Sequence, residues 1–206
     1  NKNKDMANIL KSMVSIKGND EVIKLVDSLV DKIDVYVEDG NESIPAFSKA
    51  FYENVELGEN GGVMNSWSSD NLGSKWVRLY DVSGDGEFSI ESAWYPPKEF
   101  FIHLYNLCFV LDEDVEVEVT YEDETYEPIG AIVIKKDRDG IPCIWEEEDN
   151  DIENPLDDMD WDDEKYDETS EEFYESLYDN QQSLLKLCHE LVISDGEPID
   201  ELTETE

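Results

Sequence analysis

Cations are scarce in this chain: 15 Lys and Arg stand against 54 Asp and Glu in 206 residues, a formal net charge of −39. A nucleic-acid surface needs clustered Lys and Arg to neutralise phosphates, so direct nucleic-acid binding is excluded. Docking on an anionic membrane is excluded for the same reason. Long apolar runs are missing as well. Runs such as Phe100 to Leu111 fall well short of the ~20 residues that span a bilayer. Histidine occurs only at His103 and His189, and no G-x-S-x-G motif is present, so no catalytic triad or His-based metal site is legible. The three cysteines, Cys108, Cys143 and Cys188, form no CxxC pair. That spacing excludes a disulfide framework and offers no zinc or iron–sulfur ligand set; buried free thiols in a reducing cytoplasm are expected. No catalytic residue, metal or cofactor is implied.

What is present is enough for a core. Hydrophobic residues make up 39% of the chain and aromatics 11%, and the length fits one domain with extensions. Asn1 to Asp5 stand ahead of Met6 and read as an added or frayed extension. No secretory pattern of charged head and apolar stretch opens the chain. Charge then divides the sequence near Trp145. Residues 1–145 hold 29 acids and 13 bases, a net of −16, and residues 146–206 hold 25 acids and 2 bases, a net of −23. Like charges this dense resist compaction, so 146–168 reads as a solvated acidic linker.

Periodicity supplies the elements. Lys11 to Ile16 alternates as a strand, and Val22, Ile23, Val26, Leu29, Val30 and Ile33 form a helix stripe. A strand is expected at Val35–Val37 and a short helix near Pro45–Tyr52. Two alternating stretches around Trp76–Tyr80 and Phe88–Ser92 flank Gly84-Asp85-Gly86 and predict a hairpin. Pro96-Pro97 opens a helix with Phe100, Phe101, Leu104, Leu107 and Cys108 on its apolar side. Strands follow at Val115–Tyr121 and Ile129–Ile134. The order β-α-β-β-α-β-β predicts an α+β, ferredoxin-like split βαβ sandwich over residues 6–145. Thr169-Ser170-Glu171-Glu172 has the form of a capping box, and nine apolar side chains from Phe173 to Val192 follow on one face. An amphipathic helix over 169–193 is therefore expected, with an acidic tail over 194–206. Its apolar face must be buried on the sheet or in a homodimer.

Three ordered segments carry a family resemblance: Asn71-Leu72-Gly73-Ser74-Lys75-Trp76, Ala93-Trp94-Tyr95-Pro96-Pro97 and Tyr126-Glu127-Pro128-Ile129-Gly130. They resemble the signature of the YubB-type ferredoxin-like domain family, over about Met6 to Ile144. Leu72 stands where that family usually has Trp, and Ile9-Leu10 replace its Trp-Cys. The resemblance implies a protein of phages or mobile elements, acting in the host cytoplasm or carried in the virion, with no activity to transfer. "Ferredoxin-like" names the fold alone.

Several groups have a plain structural reading beside a chemical one. Asp81 to Gly86 is similar to the opening of an EF-hand loop, but Ser92 stands at the twelfth position, where calcium needs a bidentate Glu; an ordinary β-turn is expected. His103 is expected to face solvent, and Glu116, Glu118 and Glu122 to form a solvated sheet face. Trp67, Trp76 and Trp94 are expected to pack between hairpin and helix; a ligand pocket lined by them, with Lys75 and Arg78 as cations for an anion, is the chemical alternative. The acidic segment carries the functional signal, through Glu146, Glu147, Glu148, Asp149, Asp157, Asp158, Asp160, Trp161, Asp162 and Asp163. The charge of −39 equals that of roughly 65 Å, about 20 base pairs, of duplex DNA. The reading is a non-enzymatic, acidic, phage-type interaction protein that binds a basic host or phage protein. A DNA mimic or inhibitor used in host takeover is one form of it. A carboxylate-based hydrolase and a virion or assembly protein are the alternatives.

Overall fold

The computed structural model describes residues 8–38, 43–126, 128–152, 154–156 and 166–199. The first strand, β1 (Ile9–Lys17), buries Leu10, Ser12, Val14 and Ile16 on one side. Helix α1 (Asp20–Glu38) begins at Asn19, whose Oδ1 accepts the N–H groups of Glu21 and Val22 at 2.9 and 3.1 Å, an N-cap that satisfies two orphan donors. The expected strand at Val35–Val37 is instead the last turn of α1. The helical stripe continues past Ile33 to Tyr36, which also packs on the core, so the helix period wins over β-branched propensity. Helix α2 (Ser43–Phe51) buries Ala46, Phe47, Ala50 and Phe51. Helix α3 (Asn65–Leu72) was not legible in a stretch whose only large buried apolar residues are Trp67 and Leu72.

Strands β2 (Lys75–Gly84) and β3 (Glu87–Ala93) form the expected hairpin. Its turn residues Asp85 and Gly86 have φ of 55° and 80°, the positive values that a two-residue hairpin loop demands. Helix α4 (Lys98–Phe109) buries Phe100, Phe101, Leu104, Tyr105 and Cys108. Then come β4 (Glu116–Asp123), β5 (Ile129–Lys136), β6 (Pro142–Asp149), α5 (Tyr166–Asp195) and the two-residue β7 (Glu197–Pro198).

The protein is a mixed α/β fold; among the described residues seven strands lie in the order β2-β3-β1-β4-β5-β6-β7, every neighbouring pair antiparallel. The sheet is larger than expected because the acidic stretch extends it. Residues 146–149 do not open a linker; they complete β6, where Glu146, Glu147, Glu148 and Asp149 face Ile132, Ala131, Gly130 and Ile129 of β5. Strand alternation sends successive acids to opposite faces, which relieves the repulsion that the linear sequence implies. Helix α5 likewise starts at Tyr166, so Thr169 and Glu172 lie inside the helix and form no capping box.

Helices α1 to α4 cover one face of the sheet around a core that includes Leu10, Val14, Phe47, Ile90, Phe100 and Val119. Helix α5 covers β5 and β6 on the other face. There Cys188 and Val192 pack on Ala131, Val133 and Cys143, and Phe173 and Leu177 on Ile129. Phe173, Leu177, Cys188 and Val192 of α5 are thus spent on its own sheet, while Tyr174 and Tyr178 stay exposed. All three cysteines are free and buried. Among the described residues no helix is long and apolar enough to cross a membrane.

Two stability measurements check this packing. Leu177→Ala should lower unfolding free energy by about 2–4 kcal/mol, the usual cost of a buried Leu truncation, as read by urea denaturation. Ser12 points a buried hydroxyl into the core with no hydrogen-bond partner among the described residues. Ser12→Ala should raise stability by about 1 kcal/mol, because it removes an unmet desolvation cost.

Candidate functional site

Antiparallel order brings the starts of β1, β2 and β5 and the ends of β3, β4 and β6 to one rim of the sheet. The three family-like segments meet there. Gly73 closes α3 with φ 76°, and a Cβ at that position would stand 3.1 Å from the Glu99 backbone nitrogen. Ser74 donates its hydroxyl to the Ala93 carbonyl at 2.8 Å, tying the first segment to the second. Asn71 donates to the Trp67 carbonyl at 2.9 Å, and its own carbonyl accepts the Tyr52 hydroxyl at 2.8 Å. Pro96 and Pro97 are buried at the start of α4.

Trp76 and Trp94 do not pack inside, as their sequence context predicted. Both adopt positive φ, 57° and 67°, which turns their rings outward. The rings stand 5.6 Å apart, are 44% and 43% exposed, and carry the Lys75 ammonium 5.9 Å from the Trp94 centroid. A non-glycine residue at positive φ costs on the order of 1–3 kcal/mol, and here two adjacent tryptophans share that strain. Tyr95 beside them is 71% exposed. Trp67 alone fits the expectation: it is buried, donates to the Asn54 carbonyl at 2.9 Å and meets Tyr52 edge-on.

The third segment explains its glycine. The Tyr121 ring on β4 lies across Gly130 of β5, where any Cβ would overlap it. The tyrosine thereby reaches β6, and its hydroxyl donates to Glu146 at 2.8 Å and stands 3.1 Å from Glu148. Burial first, then the two carboxylates, push the Tyr121 hydroxyl far above its ordinary range, so it remains a donor. The Lys98 ammonium pairs with Glu146 from the other side. A cavity of about 250 Å³ opens here between Gly73, Tyr95, Lys98, Glu99, Glu146 and Glu148. Tyr126, with φ 63°, bonds the Tyr174 hydroxyl at 3.0 Å and meets Phe173 edge-on, joining the rim to α5. Pro128 accepts the Asp123 N–H at 3.0 Å.

On the opposite face of the same rim, Lys11, Arg78, Glu91, Glu122, Glu124 and Tyr126 line a cavity of about 370 Å³. Arg78 donates from Nε and Nη2 to Glu91 at 2.8 and 2.6 Å. Burial raises the Glu122 carboxyl above its usual value, and Lys11 and Gln181 offset only part of that. The remaining acids named from the sequence divide. Glu147 accepts the Trp145 indole N–H at 2.8 Å. Asp149 is held below the usual carboxylate range by the Asp151 N–H and by Asn180. Glu127, Asp157, Asp158, Asp160, Trp161, Asp162 and Asp163 lie outside the described residues.

A second cluster sits under α5. Glu118 is not on a solvated face; it is 7% exposed because α5 lies over it. It accepts from Lys17 and, at 2.6 Å, from His189 Nε2. Lys135 stands 2.8 Å from His189 Nδ1 and 3.4 Å from Glu116. Lys135 can only donate, so Nδ1 accepts and the ring proton lies on Nε2. Glu116, Glu118 and His189 bring their ligand atoms within 4.8 Å of one another, a spacing that suits a cation. Two lysine ammonium groups already supply that charge, so the cluster works as a clamp between α5 and the sheet. His103 also departs from its expected solvent exposure. It stacks on Tyr52 at 4.1 Å and bonds the Phe51 carbonyl at 3.0 Å, and burial lowers its pKa. The Cys108 and Cys188 thiols are pushed up to about 12 by burial, which leaves them poor nucleophiles.

Sequence reasoning named Glu146 and Glu148 but missed Tyr121, Lys98 and Glu99. The available signal was Gly130 inside an otherwise apolar strand, a mark of close approach by another group. Gly130→Ala should cost about 1–3 kcal/mol by overpacking against Tyr121, read by thermal unfolding. Burial pushes the Glu118 carboxyl up, but its bonds to His189 and Lys17 outweigh this and hold it below its usual value. Its contribution is therefore present at neutral pH and lost as pH falls through the folded value. Glu118→Gln should destabilise the protein by about 1–2 kcal/mol at neutral pH and flatten the acid limb of stability against pH.

No family model matches the chain, and no curated protein or solved structure matches it either.

Proposed function

We propose that the protein is a non-enzymatic, acidic, phage-type interaction protein that binds a basic protein partner in the host cytoplasm. The observation that carries this reading is the rim, where Tyr95 stands exposed in a cavity with Glu99, Glu146 and Glu148, and where Trp76 and Trp94 are exposed on the same strand ends. Aromatic side chains dominate binding energy at protein interfaces, together with Arg. An Arg or Lys of the partner gains on an indole face through the ring quadrupole and on the neighbouring carboxylates through charge. A net charge of −39 steers a basic partner to this surface quickly and repels nucleic acid. Mimicry of a nucleic acid, with inhibition of the partner, is the form of binding that this charge favours.

The strand order supports the finer fold reading. Taken alone, β2-β3-β1-β4 has the order of a split βαβ sheet, with α1 leading toward β2 and α4 linking β3 to β4. On this reading β5, β6, β7 and α5 are additions to a ferredoxin-like unit of the YubB type. The meeting of Gly73, Trp94, Pro96 and Gly130 at one rim is what a shared signature serving one surface requires.

The test is affinity capture of host proteins on the full chain, followed by purification of the partner and measurement of Kd. The partner should be basic, and its Kd should rise at least about tenfold between about 50 mM and about 500 mM salt. The double substitution Trp76→Ala, Trp94→Ala should weaken it by about 2 kcal/mol or more. Binding that ignores both salt and the tryptophans would refute the reading.

A further inference from the structure

Cover on the sheet is lopsided. Helices α1 to α4 blanket one face, whereas α5 covers only β4 to β6 of the other. Toward β1, β3 and β2 that face is open in its middle: Met13 on β1, a central strand, is 62% exposed, although Glu91 and Ala93 at the rim end of β3 are buried. Beside Met13 the helix presents Tyr178, Gln182 and Leu185, which with Ser89 and Thr120 line a trough of about 370 Å³. Lys11 and Glu122 are the next outward residues along β1 and β4, so the trough runs on into the rim cavity of Lys11, Arg78 and Glu122.

Its dimensions are those of one helix. Three strands at ~4.8 Å spacing leave a floor roughly 10 Å wide, the diameter of an α-helix with its side chains. The nine residues of β1 extend for roughly 30 Å, the length of about 18–20 helical residues. Its charges are complementary to one kind of helix. The cations on the floor are already engaged: Lys17 with Glu118, Arg78 with Glu91, and Lys11 over the Tyr80 ring at 4.0 Å. The acids on the lips are not. Glu87 on β3, Glu124 beyond β4, and Glu171 and Glu175 on the Tyr178 side of α5 pair with no Lys or Arg among the described residues. A second copy of the chain would bring the same acidic lips against each other.

We infer that this trough seats a helix of the basic partner, lying alongside α5 with an apolar stripe on Met13 and Tyr178 and with Lys or Arg on both flanks. The inference rests on the basic-partner reading above and assigns that partner its docking element.

The probe is a synthetic peptide of about 18 residues, with Leu at helical spacing and Lys elsewhere. A twin carrying Glu in place of Lys is the control. The full chain is titrated by fluorescence anisotropy of the labelled peptides, with circular dichroism of each variant as the check on folding. The Lys peptide should saturate the wild-type chain and the Glu twin should not bind. The double substitution Met13→Ser, Tyr178→Ala should raise Kd at least about tenfold. Equal affinity for wild type and the trough variant would overturn the inference. So would a wild-type dimer in sedimentation that the trough variant dissociates, since a second copy would then be the occupant. A captured partner lost by the tryptophan variant but held by the trough variant refutes the trough alone and leaves the basic-partner reading standing. A Lys peptide held in the trough, with no salt-sensitive partner captured, refutes the partner reading alone.

Discussion

Strand β5 (Ile129–Lys136) is the constraint on which the structure turns. From Ile129 to Ile134 it is buried on both faces, and each face belongs to a different layer. Ile132 and Ile134 join the core beneath α1 to α4, while Ala131 and Val133 receive α5. A strand enclosed in this way reads as continuous apolar sequence rather than alternation, and Ile129-Gly130-Ala131-Ile132-Val133-Ile134 has that form. Gly130 is the one interruption, and it admits Tyr121. The same residue therefore connects the central packing to the acidic rim.

The charge problem is solved by distribution rather than by pairing. With 54 acids and 15 bases, most carboxylates have no cation to meet. Those nearest the core are given specific partners: Glu91 takes Arg78, Glu118 takes Lys17 and His189, and Glu146 takes Lys98 and Tyr121. Others close small local loops on backbone or amide donors, as Asp149 does with Asp151 and Asn180. Lys17, Arg78 and Lys98 thus meet the acids whose desolvation would be costly, and many of the other acids face water, where salt screens them.

That distribution also explains what was legible. Elements with a stripe or an alternation, such as α1, α4, β1 and the β2–β3 hairpin, follow from local spacing. Strand β6 does not, because Glu146-Glu147-Glu148-Asp149 reads as a solvated run until β5 is known to lie beside it. Helix α3, with Trp67 and Leu72 as its large buried apolar residues, lacks a stripe. The solvated face expected of Glu116 and Glu118 failed because α5, more than 45 residues later, returns to cover it. At the rim, glycines, prolines and tryptophans marked the segments, but only the sheet order brings them together. The outward turn of Trp76 and Trp94 depends on positive φ at both, a conformation that propensity does not foretell.

The placement of α5 links the stability of the fold to the sheet surface that it leaves open. Its apolar side is committed to β5 and β6, and its clamp at His189 fixes it over Glu118. Were α5 centred on the sheet, it would cover β1 and leave no trough. Lying instead over β4 to β6, it covers the acidic strand and exposes the strands that carry Met13, Tyr80 and Arg78. An exposed, partly apolar sheet face ordinarily invites self-association. Here a symmetric dimer through this face would set acidic lips against each other, so the charge that burdens the fold also opposes that association. On the proposed reading, the surplus acidity acts twice from one cause: it opposes a second copy, and it favours a partner of opposite charge.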